Sequence, residues 1–177
     1  MLKKIEQFFI YFVAYAMIGW ISEVFLLFFI YQKGFINRGV LFGPYCPVYG
    51  FSAVIFIICF HWLMKRPAPP WFRVLRPCLI FFGCMSVATV MELITSYILE
   101  FLIGRWPWQT YARFTFNFEN RIAFPPAVFF GLGGVALLYF LQPRLEKLTG
   151  KLPPKVLHFL ALTLFLLMGI DLKVFYP

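Results

Sequence analysis

The sequence predicts an all-α integral membrane protein with a single transmembrane domain of about five helices. Of its 177 residues, 62% are hydrophobic and 13% are charged, and the mean hydropathy is +0.83. A soluble domain of this length needs far more polar surface. The 16 lysines and arginines outnumber the 7 acidic residues, which gives a net charge of +9, and they flank the apolar runs. This placement indicates the lipid bilayer and its anionic head groups as partners and excludes nucleic acid.

Five apolar runs are long enough for the roughly 20 residues with which a helix crosses a hydrocarbon core. The predicted spans are residues 5–31, 47–64, 78–103, 123–142 and 154–171. A basic, proline-rich turn at 65–76 follows the second span, and a polar segment at 142–147 follows the fourth. Gly131, Gly133 and Gly134 are expected to allow close helix contact within the fourth span.

Two long connections, residues 34–50 and 105–122, join the spans in pairs. The first is rich in glycine, proline and aromatic residues, whereas an ordinary surface loop is polar. Glycine allows close approach, and Pro44 and Pro47 fix φ and remove amide donors. We therefore predict that this connection is packed and re-entrant.

The basic residues also predict the orientation of the chain. Ten of the 16 lie on one side of the predicted spans and six on the other. Because short cytoplasmic loops carry the excess of lysine and arginine, we predict a cytoplasmic N-terminus and an outer C-terminus in the cell (cytoplasmic) membrane. Both long connections then lie on the outer side.

Short motifs recur around the two connections. Residues 19–23 (GWISE) and 35–38 (FINR) are echoed by residues 96–100 (SYILE) and 118–121 (FENR). The echoes predict a tandem repeat with copies at about 5–64 and 78–142, related by an axis along the membrane normal, and the last span lies outside it. Short matches in an aromatic-rich chain also arise by chance, so both interpretations stay open.

Three glutamates, Glu23, Glu92 and Glu100, lie inside predicted spans. A charge at a helix centre costs about 2.5–3.5 kcal/mol on insertion scales, so such groups normally face the bundle interior and have partners. Arg38 and Arg121 are the available cations in the outer connections, and a guanidinium suits bidentate pairing with a carboxylate. We predict that they meet Glu23 and Glu100, within or across the repeats.

These groups form a candidate binding site. The predicted substrate-binding residues are Glu23, Asn37, Arg38, Glu92, Glu100, Asn120 and Arg121. The predicted supporting residues are Trp20, Tyr45, Cys46, Tyr49, Ser96 and Trp108. The two asparagines are expected to satisfy backbone groups of the connections. Two interpretations stay open: the ion pairs only pin the connections to the helices, or the cluster lines an outward-facing pocket for an ion or small polar solute.

The sequence predicts no catalytic residue, metal site or cofactor. It lacks the motifs for ATP hydrolysis, serine hydrolysis and zincin chemistry. Its four cysteines have no C-x-x-C spacing and are expected to behave as small apolar residues. Cys46 starts the second span, where a helix N-terminus could activate a thiol, and a packing role is the other interpretation.

The residues of the candidate site resemble those of the putative ABC-transporter type IV family, the CmpB-like permeases. The resemblance covers about residues 8–148. It is carried by Gly19, Trp20 and Glu23, by Asn37, Arg38, Gly39 and the block 43–50 (GPYCPVYG), by Glu92, Glu100, Trp108, Tyr111, Asn117 and Arg121, and by Pro143, Glu146 and Lys147. The chain lacks the aspartate usual after Trp108 and has Ala127 in a region where a serine is usual, and its tail from about 150 is additional. The resemblance implies a membrane permease.

Three hypotheses for function follow. The first is transport of an ion or small polar solute, either as a homo-oligomer or with a separate ATPase subunit. The second is a non-transporting scaffold or lipid-binding partner. The third is an intramembrane enzyme that uses Glu92 or Cys46. A hydrated pocket reaching Glu23 and Glu100 favours transport, a dry and fully paired cluster favours the scaffold, and a lipid-facing groove ending at Glu92 or Cys46 favours the enzyme.

Overall fold

A computed structural model describes residues 2–30, 32–37, 41–106 and 108–175, the last four by their backbone. The α-helices are α1 (Leu2–Phe25), α2 (Pro47–Lys65), α3 (Pro70–Ile103), α4 (Phe124–Ala136), α5 (Gln142–Lys151) and α6 (Pro154–Phe175). π-Helical segments at Leu26–Ile30 and Leu137–Leu141 extend α1 and join α4 to α5. A 3-10 helix, Gln109–Arg113, precedes a hairpin of two strands, β1 (Asn117–Phe118) and β2 (Ile122–Ala123).

The predicted all-α membrane fold is confirmed. Among the described residues, five helical stretches are long and apolar enough to cross a membrane. They are Leu2–Ile30, Pro47–Lys65, Pro70–Ile103, Phe124–Lys151 and Pro154–Asp171. Many large apolar side chains on them are exposed, such as Phe82 and Phe101 on α3. Lipid tails are as apolar as these side chains, so this surface suits a bilayer.

Two predicted helix ends are wrong. α3 begins at Pro70 rather than at 78, so Arg73 and Arg76 lie on the helix. Proline is favoured there because the first helical amide has no partner in the helix. The fourth span continues through Pro143. The π-helical segment just before Pro143 has already left the ordinary hydrogen-bond pattern, so the missing amide donor is tolerated.

The chain divides into two compact units. The terminal unit comprises Met1–Val54 and Arg144–Pro177, and the central unit comprises Ile55–Pro143. The single domain and the tandem repeat expected from the sequence stay predictions.

In the terminal unit, α1 and α6 run parallel. Ile10 packs in one apolar cluster with Leu157, and Ala16 packs in a second with Met168. The contacts therefore advance along both helices in the same direction. Tyr45 of the first long connection belongs to the second cluster, which brings this connection against α1.

In the central unit, glycines bring α3 and α4 close together. A Cβ at Gly131 would lie 2.7 Å from the Phe81 ring, and a Cβ at Gly134 would lie 2.4 Å from Cβ of Cys84. Only hydrogen fits at these positions, so the predicted role of these two glycines is confirmed. Gly104, with φ of 70°, ends α3, and the connection then runs through the 3-10 helix and the hairpin into α4.

Candidate functional site

A buried arginine organises the polar groups of the central unit. Arg121 is 7% exposed. Its Nη2 forms an ion pair with Glu100, as predicted from the sequence. Its Nε lies 3.5 Å from Oε2 of Glu119, and its Nη1 donates to Oγ of Ser96 at 3.3 Å. Three acceptors therefore surround the edge of one guanidinium.

Two aromatic rings flank the same guanidinium. Cζ of Arg121 lies 4.1 Å from the centroid of the Tyr97 ring and 4.1 Å from that of Trp106. A cation over a ring face is attracted by the negative quadrupole of the ring. We call these groups the Arg121 cluster, which comprises Ser96, Tyr97, Glu100, Trp106, Glu119 and Arg121.

The hairpin turn presents both Glu119 and Arg121 to this cluster. The N–H of Arg121 donates to the Phe118 carbonyl at 2.9 Å and closes the turn. Glu119 and Asn120 have φ of 51° and 58°. Glutamate loses about 1–2 kcal/mol in this left-handed region, whereas asparagine tolerates it. The hydroxyl of Tyr97 donates to Oε2 of Glu119 at 2.6 Å, so cluster contacts hold a strained turn in place.

The same connection covers the acidic face of α3. Nε1 of Trp108 donates to the carbonyl of Arg121 at 2.8 Å, which places Trp108 beside the cluster. Glu92, 6% exposed, accepts a hydrogen bond from the Tyr111 hydroxyl at 2.8 Å. The first bond lies within the connection, and the second ties the connection to the helix that carries the predicted acids.

Acidic groups outnumber the cation in the Arg121 cluster. Glu100 and Glu119 share the single guanidinium of Arg121, so the ionised groups of the cluster carry a net negative charge. The side chains of these two glutamates are 44% and 51% exposed, whereas that of Arg121 is 8% exposed. A solute could therefore reach the carboxylates while Arg121 stays in place.

In the terminal unit, Glu23 accepts a hydrogen bond from the hydroxyl of Tyr49. The Tyr49 ring lies directly on Gly19, where a Cβ would be 2.3 Å from Cγ of the ring. The absence of a side chain on Gly19 thus lets Tyr49 reach Glu23. Arg38, the predicted partner of Glu23, lies outside the described residues.

Asparagine satisfies backbone groups in both connections, but one of the two predicted residues is replaced. Asn37 accepts from Nε1 of Trp20 at 2.6 Å and donates to the carbonyl of Phe42 at 3.0 Å, as expected. In the second connection the side chain that satisfies a backbone group is that of Asn117, whose Oδ1 accepts a hydrogen bond from the N–H of Asn120 at 3.1 Å. Asn120 contributes its backbone there because it occupies the left-handed turn.

Sequence reasoning missed Asp171, the only aspartate in the chain. Its carboxylate accepts from the N–H of Phe42 at 3.1 Å, from the N–H of Gly43 at 2.8 Å and from the Tyr45 hydroxyl. Burial, followed by the hydrogen bond to Asp171 and its charge, raises the pKa of Tyr45, so the phenol stays a donor. An acid that ends an apolar run is costly without donors, and this signal was available in the sequence.

A family model described as putative ABC-transporter type IV matches residues 10–175. The chain belongs to this family. With five apolar helical stretches in the part of the chain that the structure describes, it is a transporter-like membrane protein. The match includes α6 and Asp171, so the expectation that the tail from about 150 is additional to the family was wrong. No curated protein and no solved structure matches the chain at a significant level.

Cys46 of this family member is packed into the terminal unit. The residue is 4% exposed, and its N–H donates to the carbonyl of Ala16 at 3.0 Å. This burial favours the packing interpretation of Cys46 over the nucleophilic one, because attack on a substrate requires an accessible thiolate.

Two open hollows of about 330 Å³ each lie among the described residues, and both are mainly apolar. The hollow of the central unit is lined by Met85, Thr89, Phe116, Asn117, Phe118, Ile122, Ala123, Phe124 and Ala127. The hollow of the terminal unit is lined by Ile5, Glu6, Phe9, His158, Ala161, Leu162 and Phe165. Neither is lined by Cys46, Glu23, Glu92 or Arg121.

Proposed function

We propose that this family member is a permease that binds or moves a small cation or a polar, positively charged solute at its intramembrane acidic groups. The observation that carries the proposal is that Glu100 and Glu119 share the single guanidinium of Arg121. Surplus negative charge in a protein of low dielectric attracts a further cation strongly. Glu92, the other buried acid on α3, belongs to the proposed site as well.

The sequence supports an orientation of the protein in the membrane. The asymmetry of basic residues supports a cytoplasmic N-terminus, with both long connections on the outer side of the cytoplasmic membrane. The acidic groups would then receive solute from outside. Membership of an ABC-transporter family supports a separate ATPase subunit that would drive accumulation against a gradient, because the chain carries no nucleotide-binding motif. The chain by itself, as a homo-oligomer, is proposed to let solute pass down its gradient.

A second candidate function is a non-transporting scaffold. It is favoured by the enclosure of Arg121, which has carboxylates and a hydroxyl at its edge and rings over its faces, although its Nε makes no hydrogen bond. The two hollows, which bypass the cluster, also favour it. In this function the ion pair would only hold the second connection on α3.

Cation flux through proteoliposomes separates the two functions. We expect wild-type protein to conduct a saturable, downhill current of a monovalent cation from a panel of sodium, potassium, methylammonium and guanidinium. Glu100→Gln should reduce that flux at least about tenfold, because it removes one of two charges that attract the solute. Glu6→Gln is the matched control, because Glu6 contacts His158 in the terminal unit and does not belong to the Arg121 cluster. Flux through the Glu6→Gln variant should stay at the wild-type level.

Each variant must first elute as a monodisperse, helical species, so that lost flux is not confused with lost folding. Absence of flux in folded wild-type protein would reject the permease in favour of the scaffold. Equal flux in wild type and Glu100→Gln would remove the Arg121 cluster from the path.

A further inference from the structure

We infer that the Arg121 cluster is a binding site for planar organic cations of the guanidinium class, and that the side chain of Arg121 occupies it as an internal stand-in for the solute. The inference rests on the proposed function and names the substrate class of the same site.

The contacts around Arg121 select a flat cation with donors on its edge. Acceptors from Glu100, Glu119 and Ser96 surround the edge, and two ring centroids lie 4.1 Å from the central carbon. A guanidinium can reach the acceptors with its edge and the rings with its faces, and Arg121 does so with hydrogen bonds from Nη1 and Nη2 and an ion-pair contact from Nε. An alkali ion can contact the same oxygens but is a sphere that does not match a flat slot between two rings, and a quaternary ammonium has no N–H groups for the oxygens.

The charge of the cluster permits exchange. Because Glu100 and Glu119 share one guanidinium, an arriving cation can pair with one of the two carboxylates before Arg121 leaves the other. Their exposed fractions of 44% and 51% place both carboxylates within reach from outside the cluster. Replacement of Arg121 by a solute guanidinium therefore never leaves both acids without a cation.

Exchange requires the short hairpin that carries Arg121 to shift. The hairpin has two residues in each strand, and residues 115–120 are all exposed, so the hydrogen bonds and ion pairs of the cluster hold it more than burial of these residues does. Glu119 and Asn120 hold left-handed backbone angles that relax when the turn opens. Strain of this kind persists where surrounding contacts impose it, and the contacts from Tyr97 and Arg121 do so here.

Uptake of guanidinium and methylguanidinium by wild-type proteoliposomes tests the substrate class. Urea is the neutral control of the same planar shape, and tetramethylammonium is the cationic control without N–H donors. We expect saturable uptake of both guanidinium compounds and background uptake of both controls. Equal uptake of tetramethylammonium and guanidinium would overturn the inference, because it would show selection by charge alone.

Two variants of Tyr97 test the ring contact. Tyr97→Leu removes the ring and should raise the KM for guanidinium about tenfold, whereas Tyr97→Phe keeps it and should raise KM less. Glu6→Gln again serves as the control. An equal effect of Tyr97→Phe and Tyr97→Leu would show that the ring face does not bind the solute, which contradicts the proposed mode of binding.

Chemical rescue provides a readout that does not depend on transport. Arg121→Ala empties the position of the guanidinium, and millimolar methylguanidinium should raise the Tm of this variant while urea does not. Where Arg121→Ala does not fold, binding of methylguanidinium to wild-type protein, lost in Glu119→Gln, takes its place. Absence of rescue in the folded variant, or unchanged binding in Glu119→Gln, would overturn the inference.

The outcomes also separate this inference from the proposed function. Flux of sodium, potassium or methylammonium without flux of either guanidinium compound would leave the permease standing and reject the guanidinium class. Absence of flux for every cation would reject both.

Discussion

The two units stabilise the carboxylates on their helices with different kinds of donor. In the central unit Glu100 is paired with a full positive charge, the guanidinium of Arg121. In the terminal unit the donors to Asp171, among the described residues, are neutral: the N–H groups of Phe42 and Gly43 and the hydroxyl of Tyr45. An acid in an apolar bundle therefore needs donors, but these donors need not be cations.

The difference has consequences for movement. Three donors from one short segment fix a backbone, because all three bonds must break together before that segment can leave Asp171. Arg121 is one flexible side chain, and its contacts can be transferred to another cation of the same shape. The terminal contact is thus suited to holding the first connection, and the central contact is suited to exchange.

The largest effect is expected from Arg121→Ala in the central unit. Loss of the guanidinium leaves Glu100 and Glu119 side by side without their cation and removes two ring contacts. We expect the free energy of unfolding to fall by about 2–4 kcal/mol. This loss is somewhat smaller than is usual when a fully buried ion pair is broken, because both glutamates are about half exposed. Denaturation in mixed detergent micelles measures it.

Arg105→Ala is the control for this variant, since Arg105 is exposed on the same connection. Its unfolding free energy should match that of wild type. Arg121→Lys should fall between wild type and Arg121→Ala, because lysine keeps the charge and loses the flat, multidentate fork. A Lys variant as stable as wild type would contradict the role given to shape.

A smaller effect is expected from Gly19→Ala in the terminal unit. The new Cβ would meet Cγ and Cβ of Tyr49 at 2.3 and 2.5 Å, so the ring must shift away from Glu23. We expect a loss of about 1–3 kcal/mol, the usual cost of overpacking a filled site. Thermal unfolding in detergent gives the loss.

Gly133→Ala is its matched control. Apart from its chain neighbours and the backbone of its own helix, no atom lies within 4 Å of a Cβ built at Gly133, and alanine favours a helix over glycine by about 0.8–1.0 kcal/mol. Its stability should be equal to that of wild type or higher. Equal losses at both glycines would show that backbone propensity, and not the approach of Tyr49, sets the result.

The smallest effect is expected from Asp171→Asn. The amide keeps one acceptor oxygen and loses the charge that strengthens the three bonds, which should cost about 1–2 kcal/mol. Tyr45→Phe removes a single donor and should cost less. Hydrogen exchange at the amides of Phe42 and Gly43 reports the same contact locally, and it should accelerate in Asp171→Asn but little in Tyr45→Phe. The reverse order would contradict the backbone-clamp description of Asp171.

Much of the fold could be predicted because hydrophobicity over some 20 residues is a local property. The pair of Glu100 with Arg121 could also be predicted, since an acid on an apolar helix requires a donor and few cations were available. The start of α3 at Pro70 and the passage of the fourth span through Pro143 were missed. Proline breaks helices in general, and only its context shows where a helix tolerates it.

By itself, the sequence determined that this chain is an all-α membrane protein of the putative ABC-transporter type IV family and that its acids need partners. Composition and spacing carry that information because they act within one helix. The tertiary structure decided which donors those acids receive. Glu119 contacts the same arginine, Arg121, as Glu100 does. Asp171 accepts its hydrogen bonds from a segment more than 120 residues earlier in the chain. Both contacts depend on how turns and helices pack in space, which the sequence does not show directly.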